Sequence, residues 1–317
     1  MLNFFICITL GFILTKAKIL PDNASKTVAK LLTWVFAPAL NFITMARYFT
    51  ISTLGENIEL VVIGAAVVAL AMTVAIILSK FFVKTDSPER GIYNYSLTFA
   101  NFGFLGDPLI LALFGDKMLF FYKLFTLPMS IIVYSWGLAN IIPKGKGQSA
   151  LKSLMNAPFL AMIFGILAGM TGFGSVLPAF ATTTLDSLKS CLGPMAMLLA
   201  GITVARYSIP EMLANKRVYI ATALRLIVLP SLYVGFAYLL ITVINAIFAL
   251  SLPTLSLYLV LFAFAGPLGL NTIVFPEAYG GNPKTGASMA LVSHTLCIIT
   301  IPIMYALLVA IFGAPAI

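Results

Sequence analysis

The sequence predicts an all-α membrane protein: ten transmembrane helices in two inverted five-helix repeats, with spans four and nine broken and crossing. Three observations predict it. The chain is 61% hydrophobic and only 9% charged over 317 residues, more apolar surface than a soluble domain of that size can hide. Its lysines and arginines fall in alternate loops. Two apolar stretches in matching places of the two halves, Leu97–Pro108 and Leu261–Asn271, each carry helix breakers at their middle.

A spanning helix needs about 20 mostly apolar residues. The spans are expected at 2–15, 31–49, 58–79, 92–114, 118–141, 158–174, 188–205, 218–248, 254–278 and 286–312. The first is short. No basic segment precedes it and no small-residue cleavage site follows, so it reads as a span and not as a cleaved signal. The repeats are expected at 1–142 and 158–317, joined by a cytoplasmic linker at 143–157. With the N-terminus outside, only Arg47, Lys117 and Lys189 of the nineteen basic residues fall on the outer side, while Lys123 and Arg225 lie within spans. The other fourteen are cytoplasmic, a strong positive-inside bias. It places both termini outside the cell membrane. Five spans per half force the halves to insert in opposite directions. A weak echo survives in Ala46–Tyr48 at the end of span two and Ala205–Tyr207 at the end of span seven, whose arginines, Arg47 and Arg206, then face opposite sides.

In span four, Asn101, Gly103, Gly106, Asp107 and Pro108 fall within eight residues, and span nine holds Gly266, Pro267, Gly269, Asn271 and Pro276. Glycine eases non-helical backbone, and proline removes a donor and clashes with the preceding turn. Broken helices survive at membrane depth only when buried or lining a cavity, and paired breaks in two halves point to a transporter's binding site. Unwound ends leave N–H groups that attract a carboxylate. The expected substrate contacts are Asn101, Gly103, Gly106, Pro267, Gly269 and Asn271. Pro38, Pro128, Pro194, Pro230 and Pro302 are read as packing kinks.

Asp107 is an acid beside a break, a functional hypothesis by default in a membrane. It could couple transport to a proton or cation, H+ or Na+; the alternative is that it caps the half-helix that Pro108 opens. His294, the only histidine, could relay protons but is rather expected to bond a neighbouring helix. Lys123 and Arg225 are expected to snorkel to the interface, with Lys123 a second candidate partner for substrate or for Asp107. Glu277 is expected to be solvated or paired with a basic loop residue. The three cysteines, Cys7, Cys191 and Cys297, show no metal spacing and read as small core residues. No metal or other cofactor is expected. The net charge of +9 comes without basic runs interleaved with aromatics, so nucleic acid is not an expected partner. No H-E-x-x-H, G-x-S-x-G or P-loop pattern points to an enzyme.

Five motifs in order resemble the auxin efflux carrier family, whose members include plant auxin carriers and bacterial malonate and malate permeases. They are Gly11–Lys16 with Ile19–Pro21, Phe36–Leu40, Asn101–Leu109, Gly193–Gly201, and Pro267–Asn271 with Tyr279–Pro283. The resemblance implies a scaffold of spans one, two, six and seven, often dimeric, and a moving transport domain of spans three to five and eight to ten. It implies a small organic anion as substrate, held where spans four and nine cross. Asn101 matches the asparagine that contacts the substrate carboxylate in plant carriers, and Pro267 matches the second crossover proline. Ala100 stands where plant carriers have the first crossover proline, Asp107 where an apolar residue is usual, and the long central loop of many plant carriers is absent. Auxin itself is therefore not the expected substrate; the expectation is a small carboxylate, such as malonate or malate. A potential-driven facilitator or channel on the same fold is the alternative.

Overall fold

The computed structural model describes residues 2–141, 155–206, 208, 210, 213–248, 254–273 and 284–315. Among them every regular element is helical. The longer helices are α1 (Leu2–Lys16), α2 (Ala24–Tyr48), α3 (Ile58–Phe82), α4 (Pro88–Thr98), α5 (Phe102–Ile141), α6 (Ala157–Met170), α7 (Ala179–Ala205), α8 (Lys216–Ile247), α9 (Leu255–Phe264) and α10 (Lys284–Phe312), with short helical turns at Ile51–Glu56 and Phe173–Val176 besides. Six of these, α2, α3, α5, α7, α8 and α10, are long and apolar enough to cross a bilayer. The sorting of side chains agrees with that. Trp34, Phe81, Phe180 and Ile311 stand exposed while Asn94, Asn101, Lys123 and Arg225 are buried. Hydrocarbon solvates apolar groups and rejects polar ones, so the polar residues go inside.

Local sequence sets the helix ends. Ser87 caps α4, its hydroxyl accepting from Arg90 N, and Pro88 follows at the first helical position, where its missing donor costs nothing. Asn156 caps α6 by accepting from Phe159 N at 3.0 Å. Gly115, at φ 81° and ψ −173°, divides α5 into two arms. That left-handed φ excludes most side chains.

Three helices widen into a π-helical turn, Leu32–Phe36 in α2, Phe102–Gly106 in α5 and Leu224–Val228 in α8. Each ends two residues before a proline: Pro38, Pro108 and Pro230. A proline ring clashes with the carbonyl four residues back and offers it no donor. Opening the preceding turn to i→i+5 bonding relieves that clash. A fourth π-turn, Val133–Gly137, has no such proline.

The chain divides into two compact units. One holds Met1–Ile58, Gly103–Phe120 and Gln148–Ile209, and the other Glu59–Phe102, Phe121–Gly147 and Pro210–Ile317. In the first unit, α1 lies on α7 and α6 on α2, and both pairs meet backbone to backbone through glycine. A Cβ on Gly201 would stand 1.9 Å from the Ile8 carbonyl oxygen, and one on Gly11 would stand 2.2 Å from that of Leu198. On the other pair, Gly169 faces the Phe49 carbonyl and Gly165 that of Phe42. Small residues let helices approach where no hydrophobic force drives them together.

The same unit holds an ionic chain. Arg47 on α2 grips Asp186 on α7 through both guanidinium arms, at 3.0 and 2.5 Å. Lys189 donates to Asp116 at 2.6 Å and lies 3.0 Å from Asp186. At its other end α7 sends Arg206 back to Ser25 of α2 at 2.8 Å. Lys189, expected on the outer side at the start of its span, is buried, its charge neutralised by two acids. Lys189→Met should cost about 1–2 kcal/mol, since both acids are a third exposed and partly screened. Asp116→Asn should cost less, because Lys189 keeps Asp186. Thermal unfolding of the detergent-solubilised protein reads both.

In the second unit α4 packs on the far end of α5, α8 on α9 and α10, and the π-turn of α8 against α4 and α10. A Cβ on Gly91 would meet Asn140 O at 1.6 Å, and one on Gly64 would meet Phe125 O at 2.1 Å. The cysteine reading needs correction here. Cys297 is buried, but Cys191 is exposed and Cys7 only half-buried, the thiol being apolar enough to sit on an outward helix face.

Candidate functional site at the helix crossing

The two broken stretches meet. α4 ends at Thr98, and Phe99 turns extended at φ −112°, ψ 125°. α9 ends at Phe264. Ala100 and Leu268 then pair as a lone antiparallel bridge, with Asn101 N donating to Pro267 O at 2.8 Å. Pro267 cannot donate to the bridge, but its carbonyl accepts. Leu268 N donates to Ser293 Oγ of α10 at 3.0 Å. Two glycines bracket Ala100: added Cβ atoms would come within 3.3 Å of the Ala100 Cβ from Gly266 and 3.5 Å of its carbonyl oxygen from Gly269. The break therefore forms at an alanine, with no proline on that strand of the bridge.

The first break lies earlier than its glycines suggest. The chain unwinds at Phe99–Asn101, and helix resumes at Phe102 as a π-turn that runs into the α-helical part from Asp107. Gly103 and Gly106 are thus inside a helical turn. Nothing lies within 4 Å of a Cβ on Gly103, so no close approach demands glycine there. Asp107 is buried at 3% exposure and sits five residues past the helix start. Pro108 widens the turn before it, and α-helical bonding begins at Asp107, with this acid in its first turn. Gly103, Gly106 and Asp107 fall in the first compact unit, whereas Asn101, Pro267, Gly269 and Asn271 fall in the second.

Within the second unit a polar cluster surrounds the bridge. Asn271 Nδ2 donates to Tyr95 Oη at 2.8 Å. The Tyr122 hydroxyl lies 3.2 Å from Phe102 O and 3.4 Å from Phe262 O, the two carbonyls flanking the crossing. Asn101 is 3% exposed, and its Nδ2 meets no partner among the described residues. His294 follows Ser293, but its Nδ1 donates to Ala290 O of its own helix at 2.8 Å, not to a neighbouring helix as expected. A carbonyl only accepts, so the proton is on Nδ1, and Nε2 is buried without a described partner.

Sequence reasoning missed Arg225. The expected snorkelling does not occur: the side chain is 1% exposed, and Nη1 reaches Leu97 O of α4 at 3.5 Å. Lys123, also expected at the interface, is 7% exposed. For Arg225, α4 and α10 pack on the turn that carries it and close off the escape to the interface. A lone arginine a few residues inside a span reads the same whether it escapes or is covered. The available signal was Pro230, five residues on, which opens the turn that carries Arg225. Pro276, Glu277 and Tyr279–Pro283 lie outside the described residues. Among the described residues no histidine, cysteine and carboxylate group is placed to hold a metal ion.

Comparison with known proteins adds a family and relatives. The model of a family described as membrane transport protein matches residues 1–152 and 146–305. An uncharacterized transporter of Methanothermobacter thermautotrophicus is 24% identical over 241 residues, 75% of this chain and 78% of that protein. An uncharacterized transporter of Methanocaldococcus jannaschii is 23% identical over 205 residues, 63% of this chain and 66% of that protein.

Proposed function

This chain belongs to the membrane transport protein family, that of the auxin efflux carriers, and we propose on that premise that it is a secondary transporter for a small organic anion. It moves a carboxylate such as malonate or malate across the cytoplasmic membrane. The observation that carries the reading is the crossing itself. Two interrupted helices are tied by one backbone hydrogen bond, leaving buried donors, Asn101 Nδ2 foremost, directed at no described protein group. Helix termini and neutral amides contribute partial positive charge and donors to an anion.

Ten spans in two inverted repeats, with both termini outside, fit this role. The paired helices support the repeat: α1 on α7 and α6 on α2 are equivalent pairs under such symmetry, and both are glycine-mediated. The reciprocal arginines support it too. Arg47 near the end of α2 meets the start of α7, and Arg206 at the end of α7 meets the start of α2. The grouping of α1, α2, α6 and α7 in one compact unit supports a scaffold of those helices, dimeric in the working carrier. The other unit is the core of the moving domain. Asp107, an acid buried beside the break, serves as the coupling group for H+ or Na+.

Purified protein in proteoliposomes tests this with labelled malonate and malate. A pH gradient clamped at zero potential should drive accumulation, and Asp107→Asn should flatten its dependence on pH while leaving thermal unfolding in place. Uptake that follows only an imposed potential, at about 2.3 kcal/mol per charge per 100 mV, would make the protein a facilitator. Absence of any carboxylate flux would remove the reading.

A further inference from the structure

We infer that Arg225 is the carboxylate receptor of the site, binding one carboxylate side-on through Nε and Nη2. This rests on the transporter reading above and names the group that makes the substrate an acid. Three observations carry it. Arg225 is 1% exposed, the largest side chain among those fully buried. Its Nη1 is engaged with Leu97 O, next to the point where α4 unwinds. The other two donors, Nε and Nη2, meet no hydrogen-bond partner among the described residues, and no carboxylate lies within salt-bridge distance there.

Those two nitrogens form one edge of the guanidinium, with parallel N–H bonds at the spacing of the two oxygens of a carboxylate. Lysine offers no such fork. A buried, uncompensated cation is strongly destabilising unless something pairs with it. The surroundings match an anion in transit. Tyr95, which accepts from Asn271, and Tyr233, whose hydroxyl has no described partner, lie within electrostatic reach of the guanidinium. The π-turn Leu224–Val228 presses this segment against α4 and α10. The site therefore takes an acid in its ionised form and rejects the amide of the same shape.

The test uses the full chain with malonate, malate, acetate and, as the neutral shape control, malonamide. Wild-type protein should be raised in melting temperature by at least one acid and not by malonamide. Arg225→Lys and Arg225→Gln should raise KM for that acid about 10- to 100-fold, the loss expected for hydrogen bonds to a charged group. Arg225→Met removes the charge outright. It should melt no lower than wild type without ligand, because an uncompensated charge goes with it, and should lose the acid-induced shift. Wild-type flux with an unchanged KM in Arg225→Lys and Arg225→Gln overturns the inference and leaves the transporter reading standing. A lowered melting temperature in Arg225→Met that Glu277→Gln restores also overturns it, by making the arginine half of an internal ion pair. Loss of all carboxylate flux from wild type defeats the transporter reading instead.

Discussion

Replacing Gly201 with valine is expected to remove the folded protein from the membrane. The new Cβ would stand 1.9 Å from the carbonyl oxygen of Ile8 and 2.9 Å from Phe12 N. Both are backbone atoms, which no rotamer change can move aside, so α1 must separate from α7 along the whole contact. Overpacking a tight core costs about 1–3 kcal/mol, and a clash between two main chains belongs at the top of that range. The dispersion contacts that hold membrane helices together then vanish as a set. The matched control is Gly235→Ala in α8, where no atom lies within 4 Å of the added carbon; helix propensity should there give a neutral or slightly stabilising change. Size-exclusion profiles and melting temperatures in detergent separate the two variants. A monodisperse, wild-type-like Gly201→Val would mean that α1 and α7 are not in this register.

The second large effect is on transport and not on folding. Asn101 contributes its backbone N–H to the bridge with Pro267, and its side-chain Nδ2 to no described group. Alanine keeps the first and deletes the second. Uptake in Asn101→Ala should therefore fall about 10- to 100-fold, a loss of about 1.5–3 kcal/mol for a bond to a charged acceptor, with the melting temperature nearly unmoved. Asn101→Asp should fall further, because a carboxylate of the same shape repels the substrate as well as failing to donate. Equal, wild-type-like initial rates in both variants would show that this amide does not face the transported ion.

Some of this was written plainly in the chain. Helix breakers in matching stretches announced the two interruptions, and Pro267 and Gly269 fall at the second one. The location of the first was harder to read. Gly103, Gly106 and Pro108 draw attention to the wrong side of Asn101, because glycine is permitted in a π-turn as readily as in a break and Pro108 acts on the turn behind it. The extended backbone forms at Phe99 and Ala100, residues with no breaking tendency, because Gly266 and Gly269 leave room for another strand beside them. Burial of charge was the least legible feature. Lys189 and Arg225 both look like residues that reach water, and only the neighbours supplied by distant segments, Asp116 in one case and α4 in the other, keep them inside.

The widened turn at Leu224–Val228 has a geometric consequence for the whole of α8. Each surplus residue in a helix is about 100° of azimuth, so a helical wheel drawn straight through Lys216–Ile247 falls out of phase as it passes Arg225. Shortening that turn by a single amino acid would scarcely change the helix's length. It would swing everything on the N-terminal side through more than a quarter of a circle, and turn lipid-facing residues such as Ile220 toward the protein.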